Sequence, residues 1–224
     1  MEHSSSVKDD FNIRKSFADF CKLNPLEFQE EQFQMIRKDI ENHAHGLLND
    51  EYVDFLLWTR GLKSRQEYFA EFIEKFCSPE KYHNLLEVGC GRTARLSRLL
   101  SKKGYEMTAM DPLLQQTDNM MEHTSICFQK ESFVLGQTDI SAFDAVVAQE
   151  PCGATEHIVR ACIEKKKNFV ISLCGAPHPL LNGTMLNDVY EWYVYLSKID
   201  EEHCFLITSK YIPGFLAYVL IGIF

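Results

Sequence analysis

The stretch Asn84–Pro112, NLLEVGCGRTARLSRLLSKKGYEMTAMDP, decides the fold of this chain. An apolar run stops at the turn Gly-Cys-Gly (residues 89–91), and a helical pattern with leucines on one face follows it. A second apolar-leaning run, 105–110, then stops at Asp111. The order strand, glycine-rich turn, helix, strand and acid is typical of one half of a nucleotide-binding α/β sheet.

The composition limits the class of protein. The chain has 224 residues, 46% of them hydrophobic, which is enough for one sizeable core. No apolar run is long enough to span a bilayer, and the polar start MEHSSSVKDD lacks an apolar signal core. The net charge of -9 argues against nucleic acid as a partner. The eight cysteines form no C-x-x-C pair, which favours buried free thiols in a reducing cytosol over disulfides or zinc, and hence a cytoplasmic protein.

The sequence divides into three parts. Residues 1–10 are polar and Ser-rich, which predicts a disordered tail. Residues 11–80 carry helical periodicity and capping signals, which predicts an N-terminal helical cap. His43 and His45 do not share a helix face, so we predict no metal site there. Residues 81–224 form the α/β domain.

The remaining apolar runs complete the pattern of strands and helices. Further strands are predicted at 126–128, 143–148, 169–173, 204–208 and 215–223, and helices at 113–123, 155–165 and 186–199. The last two strands are joined through Pro213-Gly214, which predicts a C-terminal β-hairpin.

The glycine turn fits two kinds of cofactor site. Gly89, Gly91 and Ala94 match the dinucleotide fingerprint G-x-G-x-x-G/A, and Asp111 lies about 20 residues on, where a ribose-binding acid belongs. Glu87, however, stands two residues before the first glycine. A carboxylate there would repel a pyrophosphate, so the sequence favours a cationic cofactor.

With the motif E-V-G-C-G at 87–91, the chain resembles the class I S-adenosylmethionine-dependent methyltransferases over roughly residues 80–224. The helical segment before the first strand and the final hairpin fit the same family. The resemblance implies an α/β, doubly wound, mostly parallel seven-stranded sheet with a C-terminal β-hairpin and an N-terminal helical cap. It also implies S-adenosyl-L-methionine as cofactor. Thr93 departs from the third glycine that many members carry.

The resemblance implies roles for the residues of the motif. Gly89, Cys90 and Gly91 would let the backbone pass close to the cofactor. Glu87 would lie toward the methionine amino group, and Asp111 would accept hydrogen bonds from the ribose hydroxyls.

Five further residues follow from the same resemblance. Pro112 and Leu113 would pack near the adenine, and Glu131 would contact the adenine amino group. Gln149 would lie beside the methyl group. Arg65 would pair with the cofactor carboxylate; a solvated arginine at a helix start is the alternative.

The loops after the fourth and fifth strands are where we expect the chemistry. Ligands of open α/β sheets bind outside the carboxyl ends of the strands. We predict Glu150 and His178 as acid-base or substrate-orienting residues. Cys152 and Cys174 could be nucleophiles, although buried thiols are the default. An aromatic wall over the substrate is predicted from Tyr52, Trp58, Tyr190, Trp192, Tyr193 and Tyr195.

The sequence therefore predicts a methyltransferase that acts on a small-molecule acceptor, without a metal site and without a membrane partner. The tetrapeptide Gln-Glu-Pro-Cys at 149–152 differs from the Asn/Asp-Pro-Pro-Tyr/Phe motif of nucleic-acid amino methyltransferases. The alternatives are a cofactor-binding regulator without turnover, an RNA methyltransferase and an oxidoreductase. The acceptor and the oligomeric state stay open.

Overall fold

The computed structural model of the chain describes residues 14–15, 18, 30–31, 33–34, 63–115, 126–212 and 215–224. The chain divides into two compact units, residues 1–65 and residues 66–224. The predicted tail and most of the predicted helical cap and of the predicted helix 113–123 lie outside the described residues. Tyr52 and Trp58 of the predicted aromatic wall lie outside them as well.

The described elements of the second unit alternate between strands and helices. The helices are α1 (Arg65–Phe76), α2 (Arg95–Lys102), α3 (Thr155–Lys165) and α4 (Val189–Ser197). A single 3₁₀ turn, Cys152–Ala154, precedes α3. The strands are β1 (Asn84–Val88), β2 (Glu106–Met110), β3 (Ile126–Gln129), β4 (Ala145–Gln149), β5 (Asn168–Ser172), β6 (Cys204–Ile212) and β7 (Phe215–Gly222).

The seven described strands form one sheet in the order β3-β2-β1-β4-β5-β7-β6. Strands β1 to β5 pair in parallel, whereas β7 runs antiparallel to both β5 and β6. This arrangement confirms the predicted mostly parallel seven-stranded sheet with its C-terminal hairpin. The strand order reverses between β1 and β4, and such a switch point opens the crevice where ligands of doubly wound sheets bind.

Both faces of the sheet are buried. Side chains of a strand alternate between the faces, so Leu85 and Leu86 belong to different cores. The first core joins the sheet to α1 and α2, with Phe69, Ile73 and Leu100 at its centre. The second core joins it to α3 and α4 through Ile158, Trp192, Leu196 and others. Helices on both faces explain why the parallel strands read as continuous apolar runs.

Some predicted boundaries and burials differ from the structure. The helix predicted over 186–199 is shorter, because the side chain of Asp188 caps it by accepting hydrogen bonds from the amides of Tyr190 and Glu191. The expectation of buried thiols is wrong for two cysteines. Cys127 is exposed on the edge strand β3, and Cys152 is exposed in the loop after β4.

Candidate functional site

The glycine turn after β1 passes directly beside the loop after β4. Gly89 has a φ of +73°, in the region that favours glycine. A Cβ at this position would lie 3.0 Å from the Cα of Pro151, tighter than nine in ten real Cβ contacts. Gly91 also has a positive φ, +67°, but nothing lies within 4 Å of its missing Cβ. Position 89 therefore needs glycine because of its φ and because of the close approach of Pro151, whereas position 91 needs glycine because of its φ alone.

Asp111 holds the turn in place. One carboxylate oxygen accepts a hydrogen bond from the amide of Gly91 at 2.9 Å, and the other accepts one from the amide of Leu113 at 2.7 Å. The side chain is 9% exposed. The predicted ribose acid thus also organises the loop around it, although each carboxylate oxygen keeps capacity for a further donor.

Glu87 lies beneath the turn at the start of α2. One of its oxygens accepts hydrogen bonds from the amide of Ser97, at 2.8 Å, and from the Ser97 hydroxyl. The carboxylate thereby satisfies an amide of the first helical turn, where the helix dipole favours negative charge. Burial raises the pKa of Glu87 to about 7, against the effect of the two hydrogen bonds from Ser97. Ser97 was not predicted from the sequence, because its spacing of ten residues matches no local motif.

Two acids act on the Cys90 thiol in the turn. Burial raises the pKa of the Cys90 thiol, and the neighbouring charges of Glu87 and Asp111 raise it further. A positively charged ligand at this edge would therefore be attracted by both acids.

The other residues that we predict to contact the cofactor differ in their exposure. Pro112 and Leu113 are exposed beside Asp111, Leu113 by 63%. Glu131 is exposed in the loop after β3. Arg65 is buried at the start of α1. The predicted roles of these residues toward a cofactor stay predictions.

The loop after β4 has an unusual backbone. Glu150 and Cys152 have φ angles of +52° and +53°, which residues other than glycine rarely adopt. The amide of Glu150 donates to the carbonyl of Ser172 on β5 at 2.8 Å, which fixes the start of the loop. Strain of this kind is concentrated at functional sites, so the loop is a candidate for the reacting part of the molecule.

Two polar atoms at the same edge have no hydrogen-bond partner among the described residues. They are the amide nitrogen of Gln149 and the hydroxyl of Ser172. The two residues are register partners on β4 and β5, and strand alternation places them on the sheet face that also carries Glu87. Leaving a buried donor unpaired costs about 1–3 kcal/mol, which a bound ligand can offset.

The structure also brings together three residues that the sequence had not grouped. The ligand atoms of Cys152, Cys174 and His178 all lie within 4.8 Å of one another. His178 contacts the edge of the buried Trp192 ring, with 5.5 Å between the centroids. Burial lowers the pKa of His178, so the neutral imidazole prevails at neutral pH. The predicted catalytic histidine therefore lies beside two thiols.

A buried network fixes the segment that carries His178. Glu156 on α3 accepts hydrogen bonds from Arg160, from the Tyr195 hydroxyl on α4 and from the amide of Leu181. Burial raises the pKa of Glu156, but these hydrogen bonds outweigh it and the net shift is downward. Tyr195 thus links α4 to α3, and its place in an aromatic wall over the substrate stays a prediction.

The other three α4 residues of the predicted aromatic wall differ in burial. Trp192 and Tyr193 are 1% and 4% exposed in the second core, whereas Tyr190 is 56% exposed. The hydroxyl of Tyr193 donates to the carbonyl of Cys174, so α4 supports the loop after β5 from below. Among these three residues, Tyr190 is the one whose side chain is exposed enough to contact a substrate.

A surface cavity of about 400 Å³ lies elsewhere, between residues 135–141 and α3. It contains none of the predicted site residues. Within the described ranges, no helix combines the length and the apolar character that a membrane crossing requires.

No protein-family model and no curated protein matches the sequence. Among solved structures, the chain is similar to the 1,6-didemethyltoxoflavin-N1-methyltransferase of Burkholderia thailandensis, with 14% identity, 87% of this chain and 89% of that chain covered, and a TM-score of 0.47. It is also similar to the plantazolicin methyltransferase BpumL, with 12% identity, 97% and 98% coverage and a TM-score of 0.43.

A SAM-dependent methyltransferase from Aquifex aeolicus is similar at 12% identity, with 70% of this chain and 90% of that chain covered and a TM-score of 0.47. Likeness at this level carries no information about the reaction. The function of this chain has to be inferred from its own residues.

Proposed function

We propose that the protein is an S-adenosylmethionine-dependent methyltransferase that acts on a small-molecule acceptor. The supporting observation is the pair of buried acids, Glu87 and Asp111, around a close-passing glycine turn at the switch point of the sheet. S-adenosylmethionine carries positive charge on its ammonium and sulfonium groups, whereas a dinucleotide brings a negative pyrophosphate. Two acids favour the first ligand and oppose the second.

The residues present fit this cofactor. The missing side chain at Gly89 keeps the turn against Pro151, and the open space at Gly91 lets a ligand reach the backbone. Asp111 has lone pairs left for two ribose hydroxyls. The exposed Leu113 offers an apolar surface for an adenine.

S-adenosylmethionine supplies a methyl group that is already activated on a sulfonium sulfur, so positioning can provide much of the rate. The free donors of Gln149 and Ser172 would orient carboxylate or carbonyl oxygens at the edge of the sheet. His178 is neutral at neutral pH and can accept a proton from the acceptor. Glu150, at the strained turn, would orient the acceptor. A polyanionic acceptor such as RNA is disfavoured by the acids and by the net charge of -9.

The proposal is tested by comparing two aspartates that hold backbone amides at opposite edges of the sheet. Asp111 lies at the carboxyl edge, while Asp144 accepts hydrogen bonds from the amides of His83 and Asn84 at the amino edge. We expect calorimetric titration to show loss of S-adenosylmethionine binding in Asp111→Ala and retention in Asp144→Ala. Equal affinity in the two variants would contradict the assigned site.

A further inference from the structure

Cys152, Cys174 and His178 form a group of sulfur and imidazole ligands at the carboxyl ends of β4 and β5. We propose that these three residues bind one Zn²⁺ ion and leave its fourth position for an exogenous thiol. The metal site stands independently of S-adenosylmethionine binding, but it replaces the role of His178 as proton acceptor, because a zinc-bound neutral imidazole has no free lone pair. The role of the thiol as methyl acceptor rests on the proposed function.

The distances suit a tetrahedral metal. The sulfurs of Cys152 and Cys174 lie 3.5 Å apart. Two thiolates bound to tetrahedral zinc at about 2.3 Å each are separated by about 3.8 Å. The imidazole ligand atom of His178 lies within 4.8 Å of both sulfurs. Small side-chain rotations therefore bring all three atoms to coordination distance.

The surrounding structure orients the three ligands. The thiol of Cys152 donates to the carbonyl of Glu150 at 3.3 Å and lies beside the sulfur of Cys174, which is 22 residues further on. The edge contact with Trp192 holds the ring of His178. The Tyr193 hydroxyl fixes the carbonyl of Cys174. Metal-ligating residues typically make such contacts with other protein groups, because these contacts set the orientation of the ligands.

Zinc binds cysteine as the thiolate, so binding at Cys152 and Cys174 releases the thiol protons to solvent and tightens as the pH rises.

Three protein ligands leave one tetrahedral position open, as in catalytic rather than structural zinc sites. Cys152 is exposed, and it follows Pro151, which touches the glycine turn. The metal group thus adjoins the loop that borders the glycine turn, where the proposed function places the cofactor. A thiol that binds at the open position loses its proton to solvent. Its sulfur then forms a bond to the methyl carbon while the bond to the sulfonium sulfur breaks and leaves its electron pair on that sulfur.

Cobalt substitution tests the site. The full-length chain, kept reduced with a phosphine, is titrated with Co²⁺ and then with Zn²⁺, in the wild type and in Cys152→Ser, Cys174→Ser and His178→Ala. Cys127→Ser serves as control, because Cys127 is an exposed thiol on β3 outside the group. We expect one cobalt per chain with thiolate charge-transfer absorption, displaced by zinc. Affinity should fall about tenfold or more in the three ligand variants and stay unchanged in the control.

Adding 2-mercaptoethanol should shift the visible bands of the cobalt protein, whereas ethylene glycol, its oxygen analogue, should not. Absence of thiolate absorption in the wild type, or unchanged cobalt affinity in Cys152→Ser, would overturn the metal site. A protein that binds no cobalt but loses two hydrogens on mild oxidation, with Cys152 joined to Cys174, would contain a redox-sensitive dithiol instead. Identical spectra with both additives would overturn the thiol position.

Titration with S-adenosylmethionine on the same samples separates the two proposals. Cofactor binding without metal binding leaves the proposed function in place and overturns the zinc site. Metal binding without cofactor binding supports the zinc site and contradicts the proposed function. Retained cofactor binding in Cys152→Ser also shows that this variant is folded.

Discussion

Two regions of the carboxyl edge use their polar groups in opposite ways. In the glycine-turn region, Glu87 and Asp111 are bonded to amides within the same stretch, and the buried acids are partnered. In the region after β4 and β5, the polar atoms of Gln149 and Ser172 lack described partners, and Cys152 has a strained backbone. The two acids of the first region thus have partners, whereas the second region retains two buried polar atoms without described partners. Both regions contain a non-glycine residue at positive φ, Ala94 in the first and Cys152 in the second.

The difference indicates that the two regions bind different kinds of ligand. A turn whose polar groups are hydrogen-bonded within the protein keeps its shape whether or not a ligand is bound. This suits recognition of a cofactor that is the same in every reaction. Buried donors without described partners cost stability, and a ligand can supply the missing partner, which suits an exchanged acceptor. Two adjacent thiols suit a metal. Removing a polar group that has a partner should therefore cost stability, whereas removing one without a described partner should not.

The largest effect is expected from Gly89→Val. The new Cβ would meet the backbone of Pro151, and a β-branched residue at a φ of +73° is strongly disfavoured. We expect a loss of about 4 kcal/mol in unfolding free energy and no cofactor binding. Gly183→Ala is the control, because its φ is +82° and its missing Cβ faces open space. Chemical denaturation should show a much smaller loss for the control, and equal losses would refute the contact with Pro151.

The second-largest effect is an increase in unfolding free energy that depends on pH. Burial raises the pKa of Glu87 from 4.5 to about 7, so ionisation costs the folded state nothing at pH below 4.5 and its full cost above 7. Glu87→Gln should therefore stabilise the ligand-free protein at pH 8 by about 3 kcal/mol, with no gain at pH 4. It should also weaken S-adenosylmethionine binding, because the negative charge is lost. Denaturation curves at both pH values check the first expectation, and a pH-independent difference would contradict it.

A third effect concerns the support of the second region. Glu156→Ala removes the acceptor for Arg160, Tyr195 and the amide of Leu181, so we expect a loss of about 2 kcal/mol. Glu164→Ala, on the same helix, loses only an exposed ion pair with Lys165 and should change stability little. Thermal or chemical unfolding measures both. Similar effects of the two variants would mean that the network does not hold this segment.

The smallest effect compares two buried serines. Ser97 donates its hydroxyl to Glu87, whereas the Ser172 hydroxyl has no partner among the described residues. Ser97→Ala should destabilise the protein by about 1 kcal/mol, and Ser172→Ala should be neutral or slightly stabilising without ligand. Destabilisation by both variants to the same extent would remove the proposed contrast between the two regions.

The sequence predicted the first region well, because its determinants are local. The spacing of Glu87, the glycines and Asp111 spans one strand–turn–helix–strand unit, and apolar runs marked all seven strands. Even there, the bond from Ser97 depends on how α2 packs over β1, which no spacing rule contains. The extension of β6 beyond the predicted 204–208, to Ile212, was also missed.

The second region was predicted only in part. Glu150 and His178 were chosen because they follow strands, but the grouping of Cys152 with Cys174 depends on the adjacency of β4 and β5 and on a positive φ. The sequence shows neither, since a cysteine at such a φ is rare and the two thiols lie far apart along the chain. The network of Glu156 with Tyr195 likewise joins two helices through long side chains.

The central claim is that the glycine-turn edge binds a cationic rather than a pyrophosphate-containing cofactor. Arg92 in the turn is exposed, so a dinucleotide is the appropriate competing ligand. The direct measurement is calorimetric titration of the wild-type chain with S-adenosylmethionine and, separately, with NAD. The two buried acids predict saturable one-to-one binding of S-adenosylmethionine and no heat of binding with NAD. Binding of NAD without binding of S-adenosylmethionine would contradict the account.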